Sequence, residues 1–120
     1  MDPSEWEQTL FTLILHAGEA RTKAKEAAEC AKEGEWEDAQ RLMEEAEEEQ
    51  LEAHKICANI VKMEAGGKQV DFSVLLVHAL DLLILAWIEI DHVYETIDMR
   101  KRLKALEDEV SQWKNQESRS

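Results

Sequence analysis

The apolar positions of this chain fall into three helical runs separated by glycine. Leu10, Leu13, Ile14 and Ala17 recur at the three- and four-residue spacing of a helix face. This predicts a first helix over about 4–33. It opens near Pro3-Ser4 with acids in its first turn and stops at Lys32-Glu33-Gly34, a basic residue followed by a terminating glycine. A second stripe contains Trp36, Ala39, Leu42, Met43, Ala46, Ala53, Ile56, Ile60 and Met63. It predicts a helix over about 35–64, with the acidic run Glu44–Glu49 as its solvent face. Gly66-Gly67 breaks the chain, and Asp71 or Ser73 caps a third helix over about 72–113. Towards its end Met99, Leu103, Leu106, Val110 and Trp113 are spaced 4, 3, 4, 3. That is a coiled-coil rhythm and suggests packing on symmetry mates. The polar residues 115–120 read as a frayed, disordered tail. No strand alternation, nucleotide-binding glycine motif or linker interrupts this all-α, single-domain pattern.

The most informative stretch is Phe72–Ile90, FSVLLVHALDLLILAWIEI. It is almost continuously apolar, yet it carries His78 and Asp81. Buried imidazole and carboxylate groups are costly unless something pairs with them. A helix this apolar must be covered on every side, by lipid or by other helices. Lipid is the poorer reading. Ionisable groups at mid-span are expensive there, and Asp71, Glu89 and Asp91 flank the run without a Lys or Arg. The N-terminus also lacks the charged and apolar regions of a signal peptide. The stretch therefore reads as the central helix of a soluble bundle, covered in part by other subunits of an oligomer.

Charge narrows the choice of partners. The 120 residues contain 27 acids and 14 bases, a net charge of -13. Nucleic-acid binding requires a basic patch and is disfavoured. Cys30 and Cys57 form no CxxC motif and read as reduced thiols of a cytoplasmic protein. His16, His54 and His92 are single histidines with structural or solvent-facing roles, and the four tryptophans read as packing residues.

Four segments in order carry a resemblance. They are Ala17-Gly18-Glu19-Ala20-Arg21, Ala31-Lys32-Glu33-Gly34-Glu35-Trp36, Glu52-Ala53-His54 and Val77-His78-Ala79-Leu80-Asp81-Leu82-Leu83. Together they resemble the S-G-x-A-R, A-K-x-G-D-F, E-A-H and V-H-A-Q-D-H-L motifs of the lactose/cellobiose IIA components (the N,N'-diacetylchitobiose type included) of the bacterial sugar phosphotransferase system. The resemblance implies an up-down-up three-helix subunit that trimerises into a nine-helix bundle. It implies a phosphocarrier whose His78 accepts a phosphoryl group from HPr and passes it to a cysteine of the IIB protein during disaccharide uptake. It also implies that Asp81 faces the trimer axis, where three copies hold one divalent cation such as Mg²⁺. Residues three apart lie about 60° apart around a helix, so His78 can face a cleft while Asp81 points nearer an axis. Carboxylates meeting there repel unless a cation or protons intervene, and oxygen ligands suit a hard divalent ion.

The sequence also departs from that pattern. Leu80 and Leu82 stand where the family has Gln and His beside the aspartate, and His54-Lys55-Ile56-Cys57-Ala58 lacks the Gln and Thr of H-x-x-Q-T. A phosphohistidine needs hydrogen-bond donors or cations around it, and leucine supplies neither. Consistent exchange of polar for apolar groups is what a redesigned core shows, or a lineage that has lost catalysis. A second expectation therefore stands beside the carrier: an engineered or catalytically silent helical oligomer with a structural role. In the residues alone, His78 is equally readable as a core histidine bonded to a carbonyl or to Asp81.

Overall fold

The computed structural model describes residues 2–119, and among these the chain is three helices: α1, Pro3–Lys32; α2, Trp36–Ala65; and α3, Val74–Arg119. The helix ends show why the chain turns where it does. Asp2 caps α1, its Oδ1 accepting from the Glu5 amide at 3.0 Å, and Pro3 supplies the first helical residue. The α1 exit is a Schellman turn. The Glu35 amide donates to the Cys30 carbonyl at 2.9 Å, and the Gly34 amide to Ala31 at 3.1 Å. Gly34 takes the positive φ of 77° that this turn requires. Gly67, at φ 90°, closes α2 in the same way. Of the two candidate caps for α3, Ser73 serves: its Oγ accepts from the Leu76 amide at 3.1 Å. Phe72 therefore lies before the helix, 84% exposed. At the other end α3 continues to Arg119, so the polar residues 115–119 are helical rather than frayed; Ser120 lies outside the described residues.

The packing is up-down-up. α1 packs on both of its neighbours, and α2 and α3 touch each other least. The side of α1 that makes this possible is small. Ala17, Ala20, Ala24, Ala27 and Ala31 are all buried and let the helices approach closely, while Leu10, Leu13 and Met43 fill the wider parts of the core. Cross-links between α1 and α2 flank this seam. Lys23 Nζ donates to Glu45 Oε2 at 2.9 Å, and His16 Nδ1 to Glu49 Oε2 at 2.6 Å. The result is a rod of 78 × 20 × 20 Å. Among the described residues no helix is long and apolar enough to cross a membrane.

α3 is apolar on two opposite sides. Ala79, Leu83, Ala86, Ile90 and Val93 are buried against the rest of the subunit. About 160° around the helix, Val77, Ile84 and Ile88 face outward and are 39–60% exposed. The continuous greasiness of Phe72–Ile90 thus divides into a face used within the subunit and a face the subunit leaves open.

Candidate functional site

Asp81 lies in the middle of that open face, between Val77 and Ile84, and its side chain is exposed. His78 is one step round the helix towards α3's flank, and it too is exposed. Among the described residues neither side chain makes a hydrogen bond or ion pair, so the reading of His78 as a core histidine bonded to Asp81 does not hold in the subunit. His78 is the fifth residue of α3, just beyond the turn capped by Ser73. A helical side chain leans towards the N-terminus, so the imidazole leans towards the positive end of the helix dipole.

The two leucines that depart from the motif are separated by the helix. Leu82 follows His78 by four residues, shares its flank and packs against the core. Leu80 lies on the far flank, half-buried. Of these two leucines, only Leu82 shares the flank of His78 within one subunit.

Beside Leu80's flank runs a groove of about 380 Å³ between α2 and α3, lined by residues that include Gln50, His54, Trp87 and Tyr94. His54 sets its ring edge-on to Trp87, with centroids 5.8 Å apart. Among the described residues Gln50 is the one polar residue in the core. Its Nε2 donates to the Leu83 carbonyl at 3.2 Å, while its buried Oε1 has no partner. Tyr94 donates to Glu47 Oε1 at 2.7 Å, and burial, reinforced by that carboxylate, pushes its phenol up to about 12. The periodicity gave Gln50 no prominence; a lone amide on the apolar stripe between Ala46 and Ala53 was its only signal. Cys30 and Cys57 are free and half-buried, and burial first, then the nearby Glu35 and Asp38, raises the Cys30 thiol.

Among the described residues of one subunit, no group of three His, Cys, Asp or Glu side chains could hold a metal ion. Asp81 alone therefore makes no metal site; its fit to a cation depends on further copies of the chain.

Comparison with known proteins decides what this frame is. The sequence pattern of the lactose/cellobiose-specific IIA subunit of the phosphotransferase system matches residues 8–101. The chain belongs to this IIA family. It is 36% identical to the lichenan-specific phosphotransferase enzyme IIA component of Bacillus subtilis, over 82% of this chain and 90% of that one. Its fold is similar to the crystal structure of the cellobiose-specific enzyme IIA from Bacillus anthracis. That match has a TM-score of 0.83 and 39% identity, covering 88% of this chain and 94% of the other. It is also similar to IIA(chitobiose) in a solution structure of the IIA–HPr complex of the Escherichia coli N,N'-diacetylchitobiose branch. There the TM-score is 0.74 with 28% identity, over 82% of this chain and 96% of that one. As a IIA chain it has three helices in the expected order.

Proposed function

We propose that this IIA chain is a cytoplasmic phosphocarrier for disaccharide uptake, taking a phosphoryl group from HPr on His78 and handing it to a cysteine of a IIB protein. The observation that carries the reading is the exposed, unpaired His78 at the motif position of a IIA family member. One ring nitrogen of neutral His78 attacks phosphorus, the N–P bond forms, and the bond to the donor carrier breaks with its electron pair. In the second transfer the cysteine sulfur attacks and the N–P bond breaks, returning the pair to the imidazole. HPr is the partner named in the IIA(chitobiose) complex that this fold matches. The N-terminal turn of α3 favours negative charge where the imidazole leans, which partly offsets the missing donor at Leu82.

The open face of α3 fits association of three copies around Asp81, since a lone subunit leaves the apolar side chains of Val77, Ile84 and Ile88 in water. In that assembly three Asp81 carboxylates would hold a divalent cation such as Mg²⁺, which would supply charge neutralisation at the axis.

Incubation with phosphoenolpyruvate, enzyme I and HPr, followed by intact mass, tests the carrier. One added phosphate per subunit is expected, lost in His78→Ala. Leu82 favours the silent-assembly reading. An unphosphorylated chain that stays oligomeric, even with Leu82→His and Leu80→Gln, would establish that alternative.

A further inference from the structure

Between the first turns of α1 and the last turns of α2 lies a groove of about 520 Å³, walled by residues that include Thr9, Ile56, Ile60 and Met63. Its size is that of a small-molecule site. Ile56, Ile60 and Met63 follow at helical spacing on one side of α2. Opposite them α1 presents Thr9, and the stripe is left partly open: Ile60 is buried, but Ile56 and Met63 are only half-buried. A second cavity of about 310 Å³ adjoins this groove under the turn that follows α2, and Met63 and Lys68 border both. No residue of α3 lines either cavity, so they lie apart from His78 and from the open face of α3.

Three donors surround this apolar wall. Lys62 and Lys68 are exposed at the rim, and among the described residues neither pairs with a carboxylate. That is notable in a chain with 27 acids and 14 bases. Trp6 lines the second cavity, and its buried Nε1–H has no acceptor among the described residues. A buried N–H without a partner costs stability until something accepts from it. The last carbonyls of α2 would repel an anion, but they are engaged. The Gly66 amide donates to the Lys62 carbonyl at 3.0 Å, and the Lys68 amide to that of Met63 at 3.1 Å. Among the lining residues Asp71 is the one carboxylate, and it borders the second cavity alone.

We propose that the α1–α2 groove binds a small amphipathic carboxylate, with its apolar chain along Ile56, Ile60 and Met63 and its head group where the two cavities meet at Lys68. There the carboxylate accepts from Lys68 Nζ and from the Trp6 indole, and Lys62 adds positive charge from the rim. A purely apolar ligand would leave the Trp6 N–H unsatisfied. An inorganic anion would leave the apolar wall in water. A ligand with both parts answers both features. The proposal does not depend on phosphoryl transfer at His78 or on assembly through α3.

Titration calorimetry and nuclear magnetic resonance spectra of the full chain with octanoate test this. Octanoate should bind saturably and shift the Trp6 indole N–H signal. Octanol has the same chain without the charge and should bind at least about tenfold more weakly, and acetate should not bind. Lys62→Gln/Lys68→Gln alters only exposed side chains and should weaken octanoate binding by at least about tenfold. Trp6→Phe keeps an aromatic ring, removes the donor and should also weaken it. Equal affinity for octanoate and octanol overturns the proposal, as does an octanoate affinity unchanged in the lysine variant. A Trp6 N–H signal that does not move at saturating octanoate means that water already accepts from it, and overturns the proposal too. Flotation with phosphatidylglycerol vesicles in the absence of any octanoate binding would assign the lysines and the groove to a lipid surface instead and refute the free-carboxylate site.

Discussion

At the scale of single residues, the positions that decide behaviour are polar groups placed in apolar surroundings. Tyr94 is the chain's only tyrosine, so phenolate absorbance reports on it alone. Its hydroxyl is half-sheltered and donates to Glu47, which favours the protonated form and raises the folded value to about 12 from an ordinary 10.0. The unfolded chain therefore releases this proton first. The stability it contributes is present below pH 10.0 and is lost as pH rises towards about 12. A spectrophotometric titration should find the phenolate late, and Glu47→Gln should bring it earlier. An ordinary midpoint in the folded chain would show that the Glu47 contact is not held in solution. Gln50 is a stricter case. Its amide nitrogen faces the Leu83 carbonyl, and Gln50→Glu would put a carboxylate there. Denaturant unfolding should show a loss of roughly 1–3 kcal/mol or more at neutral pH, with recovery on acidification. No loss would mean that water reaches the site. Gln50 and Tyr94 were not legible as a pair in the sequence, because the α2–α3 groove that joins them depends on how two helices rotate against each other.

At the scale of helices, the seam of alanines along α1 sets the spacing of the whole subunit. Each of these side chains is fully or almost fully buried between helices, so added volume cannot be relieved by rotation. Ala24→Leu should cost about 1–3 kcal/mol by overpacking, measured as a shift of the urea midpoint, whereas the same change at exposed Ala58 should be nearly neutral. The three helices and their glycine stops could be read from residue order, because a 3.6-residue period and a Schellman turn are local properties. Two ends escaped that reading. The start of α3 moved from Phe72 to Val74 because Ser73, and not Asp71, supplies the cap. The end moved to Arg119 because polar composition does not by itself stop a helix made of good helix formers. The motif leucines show the same limit from the other side. Leu80 and Leu82 sit together in sequence, yet only Leu82 reaches His78's flank, so Leu82→His should affect phosphoryl transfer more than Leu80→Gln within a subunit. Phosphorylation rates of the two single variants measure this directly.

At the scale of the molecule, the exposed face of α3 is the surface that the proposed assembly would cover. Ile84 and Ile88 lie at its centre, whereas Leu80 and Leu82 lie on its borders. Ile84→Glu or Ile88→Glu should therefore dissociate the proposed oligomer, with a lower mass by light scattering. A monomeric unmodified chain would remove the assembly altogether. If Asp81 carboxylates converge, Mg²⁺ should raise the Tm of the unmodified chain by mass action and leave Asp81→Leu unchanged. In chelator, Asp81→Leu should melt higher than the unmodified chain, since it removes like charges held close together. Equal Mg²⁺ responses would show that the ion does not bind at Asp81.

The order of the helices also has a consequence for biosynthesis. A ribosome releases α1 and α2 first, and their hairpin can close by local contacts while α3 is still being made, because the turn between them spans only Glu33 to Glu35. The alanine seam of α1 then waits for a third helix that emerges last and carries two apolar sides. Until α3 docks, both of its apolar sides are open, and only the inward one carries the small residues Ala79 and Ala86 that are buried in the finished subunit. Newly made chains thus pass through a short interval in which the last helix is the sticky part of the molecule. Nascent subunits emerging from neighbouring ribosomes on one message would meet through that helix before they meet through any other surface.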